Sequence, residues 1–263
     1  MSPARSSPER VPARDGQMVS SESSGAQIDD STPQALHVVD PDSSQGAILD
    51  AAAECFRDYG FAAASIDDVA RALNATKGRI YHHFRSKTDL FFAVYRRGMA
   101  LNFAAVEPFS ASSSAGEKPL DKLTRMGIAH AIVLMAQMPY QRVLAQGVHM
   151  HQTGATTAAQ RETLADLIQL RGRYEKMFRD AIADLVTAHA LDIDDVPLAT
   201  RSFLAVLNGS VYWYAPQQDD VAREQIELAI KQVTFALQGL GVSPPHEIFD
   251  AWSSGQTSPS TSD

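Results

Sequence analysis

Between residues 46 and 84 the chain starts a helix three times, and only a tight turn separates the last two. Residues 46–59 place Ile48, Leu49, Ala52, Ala53, Phe56 and Tyr59 at three- and four-residue steps, the spacing of an amphipathic helix. Gly60 follows as a left-handed helix end. Ser65 is a natural N-cap, with Asp67 and Asp68 in the first turn behind it. Val69, Ala70 and Leu73 form the core face of this second helix, and Asn74-Ala75 make the turn. Thr76 then caps a third helix. One longer helix and two short ones joined by a tight turn make a helix-turn-helix unit.

The charge pattern singles out the third helix. The chain carries a formal net charge of −8. Within residues 71–97, however, Arg71, Lys77, Arg79, Arg85, Lys87, Arg96 and Arg97 face the single acid Asp89, a local +6. A basic, helical, ring-studded island on an acidic molecule is aimed at an anionic polymer. Lys77 and Arg79 lie in the first turn, where a recognition helix reaches base edges, and Arg reads guanine O6 and N7. Thr76 and the first amides, those of Lys77 and Gly78, face a phosphate at the positive helix end. Gly78 lets the backbone come close. Ile80 and Phe84 point back into the small core.

Residues 43–97 resemble the DNA-binding domain of the TetR family of bacterial one-component regulators. The resemblance rests on Ser65-Ile66-Asp67-Asp68-Val69-Ala70, then Thr76-Lys77-Gly78-x-Ile80-Tyr81-x-His83-Phe84, Ser86-Lys87 and Asp89-Leu90. It implies that Tyr81 and His83 touch phosphate or thymine methyl groups, and that Lys87 clamps a phosphate. His82, where the family often has a larger aromatic, and Ser65 are counted with the same set. It also implies a homodimer on a palindromic double-stranded operator, repression as the usual output, and a cytoplasmic, nucleoid-associated protein.

The remaining chain reads as helical. Nine segments are expected in all, with no convincing strand, so the fold class is all-α. A connecting helix runs from Lys87 to about Glu107, ended by Pro108. Others cover Pro119–Gln137, broken by Pro139, then a short stretch through Val143–Val148, Ala158–His189, Pro197–Trp213 and Asp219–Leu240. The expected organisation is a disordered tail over 1–42, a DNA-binding domain over 43–90, a ligand-binding and dimerisation domain over 91–251, and a loose tail over 252–263. The N-terminal tail holds three Arg (Arg5, Arg10 and Arg14, able to touch phosphate) against seven acids. No run of about 18 apolar residues predicts a membrane span, and the N-terminus lacks the apolar centre of a signal peptide. Cys55, the single cysteine, is expected to be a buried small hydrophobe.

Phe203, Leu207 and Val211 in one late helix, with Ile226, Ile230, Val233 and Leu237 in the next, exceed one buried stripe. They either complete the protomer core or, as the resemblance implies, join a four-helix bundle with a second copy. The middle helices hold the candidate ligand residues Met126, His130, Met135, Tyr140, Arg171, Tyr174, Phe178 and Trp213. Met suits a pocket for bulky apolar ligands, although a Met and aromatic stripe also builds ordinary core. On the helix 158–189, Arg171 falls near the middle of the face of Leu164, Leu167, Ile168, Tyr174, Phe178, Ile182 and Leu185. A cation there needs an anionic partner, either a protein carboxylate or a ligand's phosphate or carboxylate.

Arg171-Gly-Arg-Tyr174-x-x-x-Phe178 and Leu207-Asn208 through Trp213-Tyr214-Ala-Pro216 are similar to a lipid- and steroid-catabolism branch of the same family. That similarity implies an acyl-CoA thioester as effector. A hydrophobic drug or aromatic is the alternative. His149-x-His151 could suggest a metal, but residues two apart on a helix point about 200° from each other. No metal and no cofactor are expected. A glycine-rich phosphate loop, a nucleophile elbow and a His/Glu metal pair are all missing from the sequence, so no enzyme is expected. An architectural DNA-binding protein without a ligand is the remaining alternative.

Overall fold

The computed structural model describes residues 43–111, 116–153 and 157–255, with side chains of 148–153 left out. Expectations on the tail 1–42, on 256–263 and on the side chains of His149 and His151 fall outside the described residues.

Among the described residues there are eleven helical segments and no strand. They are α1 (Ser44–Ala63), α2 (Ile66–Ala72), α3 (Lys77–His83), α4 (Lys87–Ser110), α5 (Pro119–Ala136), α6 (Met138–Thr153), α7 (Ala158–His189), α8 (Val196–Asn208), α9 (Ser210–Trp213), α10 (Val221–Gly239) and α11 (His246–Ser253). The chain is all-α, as its periodicity predicts.

Side-chain caps set most of these boundaries. Ser43 Oγ accepts from the Gly46 amide at 3.0 Å. Ser65 and Asp68 form a reciprocal capping box, Asp68 N–H to Ser65 Oγ at 3.2 Å and Ser65 N–H to Asp68 Oδ2 at 3.0 Å. Ser86 caps α4 through the Asp89 amide at 3.1 Å. Gly60 has φ +73°, a value that favours glycine, and kinks α1; one further turn, 61–63, follows where the sequence predicts a stop. Asn74, at φ +49°, makes the turn between α2 and α3.

Three boundaries differ from expectation. Pro108 does not end α4, which runs on to Ser110. α6 starts at Met138, so Pro139 lies in a first turn, where its missing N–H costs nothing, and the expected short helix is 16 residues long. α11 is not predicted. Its Ile248 and Phe249 are buried, and Trp252 stands 5.9 Å from Phe109 at the end of α4.

The N-terminal unit is held by Ile48, Leu49, Phe56, Val69, Ile80 and Leu90, with Phe56, Phe61 and Phe91 rings 4.9–6.0 Å apart. Cys55 is buried there, as expected, and its thiol is pushed up by burial. α5 is the centre of the rest, packed by α4, α7, α8 and α10. α4 and α6 approach so closely that a Cβ on Gly98 would overlap Leu144, and one on Gly147 the Tyr95 ring. α6 also packs along α1. It therefore lies between the N-terminal unit and the interior of the C-terminal helices.

Candidate nucleic-acid interface and ligand cavity

α3 buries Ile80 and leaves Lys77, Gly78, Arg79, Tyr81, His82 and His83 exposed, with Tyr81 51% open. Exposing a ring of this size on a seven-residue helix costs hydrophobic burial and offers an apolar edge beside cations. Lys77 Nζ sits 2.7 Å from Asp67, and Arg79 Nη2 donates to Ser44 Oγ at 3.1 Å. These contacts hold α3 to α2 and α1. His82 and His83 stand edge to face at 5.1 Å. Thr76 occupies the N-cap of α3 but makes no side-chain cap bond, unlike Ser43, Ser65 and Ser86. A Cβ on Gly78 would meet only the Thr76 hydroxyl at 3.6 Å, so the protomer itself does not demand glycine there.

Two expected DNA contacts have other work. Ser65 Oγ is engaged by Asp68, donating to its carboxylate at 2.6 Å. Lys87 Nζ donates to the carbonyls of Phe61, Ala62 and Ala64 at 2.7, 3.1 and 2.9 Å, and lies 4.6 Å over the Phe61 ring. Its three protons cap the end of α1, so in the protomer it is a helix-end clamp.

A cavity of about 390 Å³ opens between α4, α5, α6, α7, α8 and α9. Met99, Leu144, Ala145, Leu204, Ala205 and Val211 form much of its apolar wall. His130 and Tyr174 line it, both buried. His130 Nδ1 is 2.8 Å from Tyr174 Oη, and Nε2 is 3.2 Å from Asn208 Oδ1. Burial pushes the imidazole down to about 4, partly offset by the Asn208 carbonyl, so it is neutral at ordinary pH. Burial likewise raises the Tyr174 hydroxyl. Asn102 and Gln141 close a reciprocal pair at 3.2 and 2.7 Å.

Arg171 corrects an expectation. It is an exposed residue on the cavity lining and does not project into the core. Its partner is the Tyr95 hydroxyl, whose pKa burial raises and Arg171 lowers; among the described residues it has no carboxylate ion pair. Arg201, also on the lining, pairs with Glu175 at 3.3 Å, and Tyr212 stands beside them 78% exposed.

Of the other expected ligand residues, Met126, Met135 and Phe178 are core and lie off the cavity lining. Trp213 is exposed beside a separate depression with Glu224 and Lys231. Tyr140 turns away, towards α1. Its hydroxyl donates to Asp50 Oδ1 at 2.5 Å, and burial and that carboxylate raise its pKa. Arg97 Nη2 stands 3.4 Å from the same carboxylate and Nη1 donates to Gly46 O at 3.2 Å. Gln146 adds two bonds, donating to Phe56 O at 3.0 Å and accepting from the Phe61 amide at 3.1 Å. One side of α6 thus lines the cavity through Gln141, Leu144 and Ala145, while another is bonded to α1.

The expected dimerisation residues divide. Phe203, Leu207, Val233 and Leu237 are buried inside the protomer, and Val211 lines the cavity. Ile226 and Ile230 are half-buried. The apolar side chains left most open on α8 and α10 are Leu198 and Phe235, beside the half-buried Val206 around a groove of about 340 Å³. Among the described residues no group of three His, Cys, Asp or Glu is placed to hold a metal, and no helix is long and apolar enough to cross a membrane.

Residues 48–94 match the model of the tetR family of bacterial regulatory proteins, and residues 116–233 that of the tetracyclin repressor-like C-terminal domain. The chain is 25% identical over 206 residues to the transcriptional repressor KstR2 of Mycolicibacterium smegmatis, covering 74% of this chain and 92% of that one. Two repressor matches of higher identity run over 49 and 60 residues and span only 26% and 32% of those relatives' own length. Among solved structures it is similar to the regulator PfmR of Thermus thermophilus, with 28% identity, TM-score 0.60 and coverage of 73% and 97%. AibR, solved with isovaleryl coenzyme A and operator DNA, shares the fold at TM-score 0.59 and 23% identity, covering 73% of this chain and 97% of that one.

Proposed function

The chain belongs to the TetR family of bacterial regulatory proteins, and on that premise we propose that it is a dimeric, ligand-released repressor of a palindromic operator. The observation that carries this reading is α6, which lines the cavity on one side and is bonded to α1 on the other. α1 in turn holds the recognition helix through Ser44 and Arg79. A ligand that prefers a shifted α6 therefore biases the position of α3, and it acts only through its different affinity for the two states.

On DNA, Lys77, Arg79, Tyr81, His82 and His83 face the major groove, with the open amides behind Thr76 on a phosphate. Two copies meet through the Leu198, Val206 and Phe235 surface, setting two α3 helices about one DNA turn apart.

The effector is an acyl-CoA thioester. A cavity of about 390 Å³ takes an acyl group and part of a pantetheine arm but not a nucleotide as well. The nucleotide would lie outside, where Arg171, Arg201 and the exposed Tyr212 ring suit phosphate and adenine. The isovaleryl coenzyme A bound to AibR agrees with this class.

The test is fluorescence anisotropy on DNA from upstream of the protein's own gene, with a panel of acyl-CoA thioesters. Tight binding that Tyr81→Ala abolishes and one thioester releases is the expected result. Tight binding that every thioester leaves intact, but a hydrophobic drug releases, overturns the effector class. Equally weak binding to all DNA overturns sequence-specific regulation.

A further inference from the structure

Three polar groups from three helices meet in the wall of the cavity. They are His130 on α5, Tyr174 on α7 and Asn208 at the end of α8. Their protons follow from the amide oxygen of Asn208 being the atom that faces the imidazole. Asn208 Oδ1 only accepts, so His130 Nε2 carries the hydrogen. Nδ1 is then an acceptor, and the Tyr174 hydroxyl donates to it. What remains is the Asn208 amide nitrogen, on a side chain open to solvent at the cavity's edge, which holds two hydrogens and meets no acceptor among the described residues. The Asn102–Gln141 pair in the same cavity is different, because each amide satisfies the other.

Accepting the thioester reading above as its basis, we infer that the effector's acyl portion carries a hydrogen-bond-accepting oxygen, an oxo or hydroxyl group, selected by the Tyr174–His130–Asn208 relay. A hydrocarbon chain laid against Asn208 would displace water and leave the amide hydrogens unpaired. An oxygen at that point replaces the water. Sites built to bond an oxygen reject analogues without it far more strongly than apolar pockets reject an extra methylene. The relay also stiffens the donor. Asn208 is held by a neutral imidazole that is itself held by Tyr174, so the amide stays aimed without any ligand present.

The experiment compares hexanoyl-CoA with its 3-, 4- and 5-oxo analogues, and hexanoic acid with the matching oxo acids. Binding to the protein alone is read by calorimetry, and operator release by anisotropy. The expected result is that at least one oxo position binds tenfold or more tightly than the saturated parent. Asn208→Asp keeps an acceptor for His130 but presents no donor, and it should erase that preference while the thermal unfolding transition stays cooperative. Equal or weaker binding of every oxo compound, as thioester and as acid, overturns the inference. So does an unchanged preference in Asn208→Asp. Thioesters that bind alike and still release DNA overturn this inference and leave the effector class standing. Oxo acids that bind preferentially while no thioester binds do the reverse.

Discussion

Acidification between pH 7 and 5 should destabilise this protein chiefly through His130. The imidazole is fully buried between Tyr174 and Asn208, and its pKa lies near 4 against 6.5 when unfolded. The depressed value means that the unfolded chain binds the proton more readily. Stability is therefore complete above about pH 7 and falls as the pH drops from 6.5 towards 4. Between pH 7 and 5 these two values give a loss of about 2 kcal/mol from this one group. Urea unfolding at pH 7, 6 and 5 and fixed protein concentration measures it, since association shifts apparent stability. His130→Gln is the control, because glutamine offers a donor and an acceptor yet does not titrate. The wild type should be more stable than the variant at pH 7 by about 2 kcal/mol more than at pH 5. Asp68 cannot mimic this. Ser65 and Arg71 hold its carboxyl below 3.8, so its contribution is lost only at lower pH. Parallel losses in wild type and variant would refute a neutral buried His130.

Lys87→Met should lower stability by about 1.5–3 kcal/mol, because three charged hydrogen bonds to the end of α1 disappear. Tyr81→Ala should instead leave the urea midpoint unchanged and abolish operator binding by anisotropy. Leu237→Ala should cost about 2–5 kcal/mol in unfolding experiments, as a cavity in the protomer core. Phe235→Asp should yield a folded monomer by light scattering with native circular dichroism, because Phe235 is 67% exposed within the protomer. Tyr140→Phe removes a charge-assisted bond from α6 to Asp50 and should reduce the ligand's effect on operator affinity at least threefold, with ligand binding retained.

What can be read from the sequence is local. Ser65 with Asp67 and Asp68 and the periodic apolar positions announce helix starts and faces, because caps and stripes are decided within one or two turns. Ile80 and Phe84 are buried where the short-helix pattern puts them. Arg171 is misplaced through a small angular error. Counting Ile168, which is 49% exposed, and omitting the buried Leu170 turns the inferred face of α7 by about 20°, towards Arg171. The dimer residues are a different case. Periodicity says that Phe203, Leu207, Val233 and Leu237 are covered, not which chain covers them. Asn208 leaves little local signal, since an asparagine before a glycine reads as a turn. Its meaning comes from His130, a residue 78 positions away.

The size of the α6–α1 connection bears on whether it can carry regulation. A 100-fold change in operator affinity needs about 2.7 kcal/mol of coupling. The Tyr140–Asp50 bond is charge-assisted and worth about 1.5–3 kcal/mol; each Gln146 bond adds about 0.5–1.5 kcal/mol. Their total, about 2.5–6 kcal/mol, is of the size required, so a ligand need not unfold any element. It need only make part of this set incompatible with its own contacts on Gln141, Leu144 and Ala145, which lie on the same helix. The glycines at 98 and 147 make that demanding, because α4 and α6 are in van der Waals register along the cavity. A displacement of α6 by one ligand atom's width has no free volume to absorb it on the α4 side. In the proposed mechanism it is passed instead to α1, whose Ser44 meets Arg79 of the recognition helix.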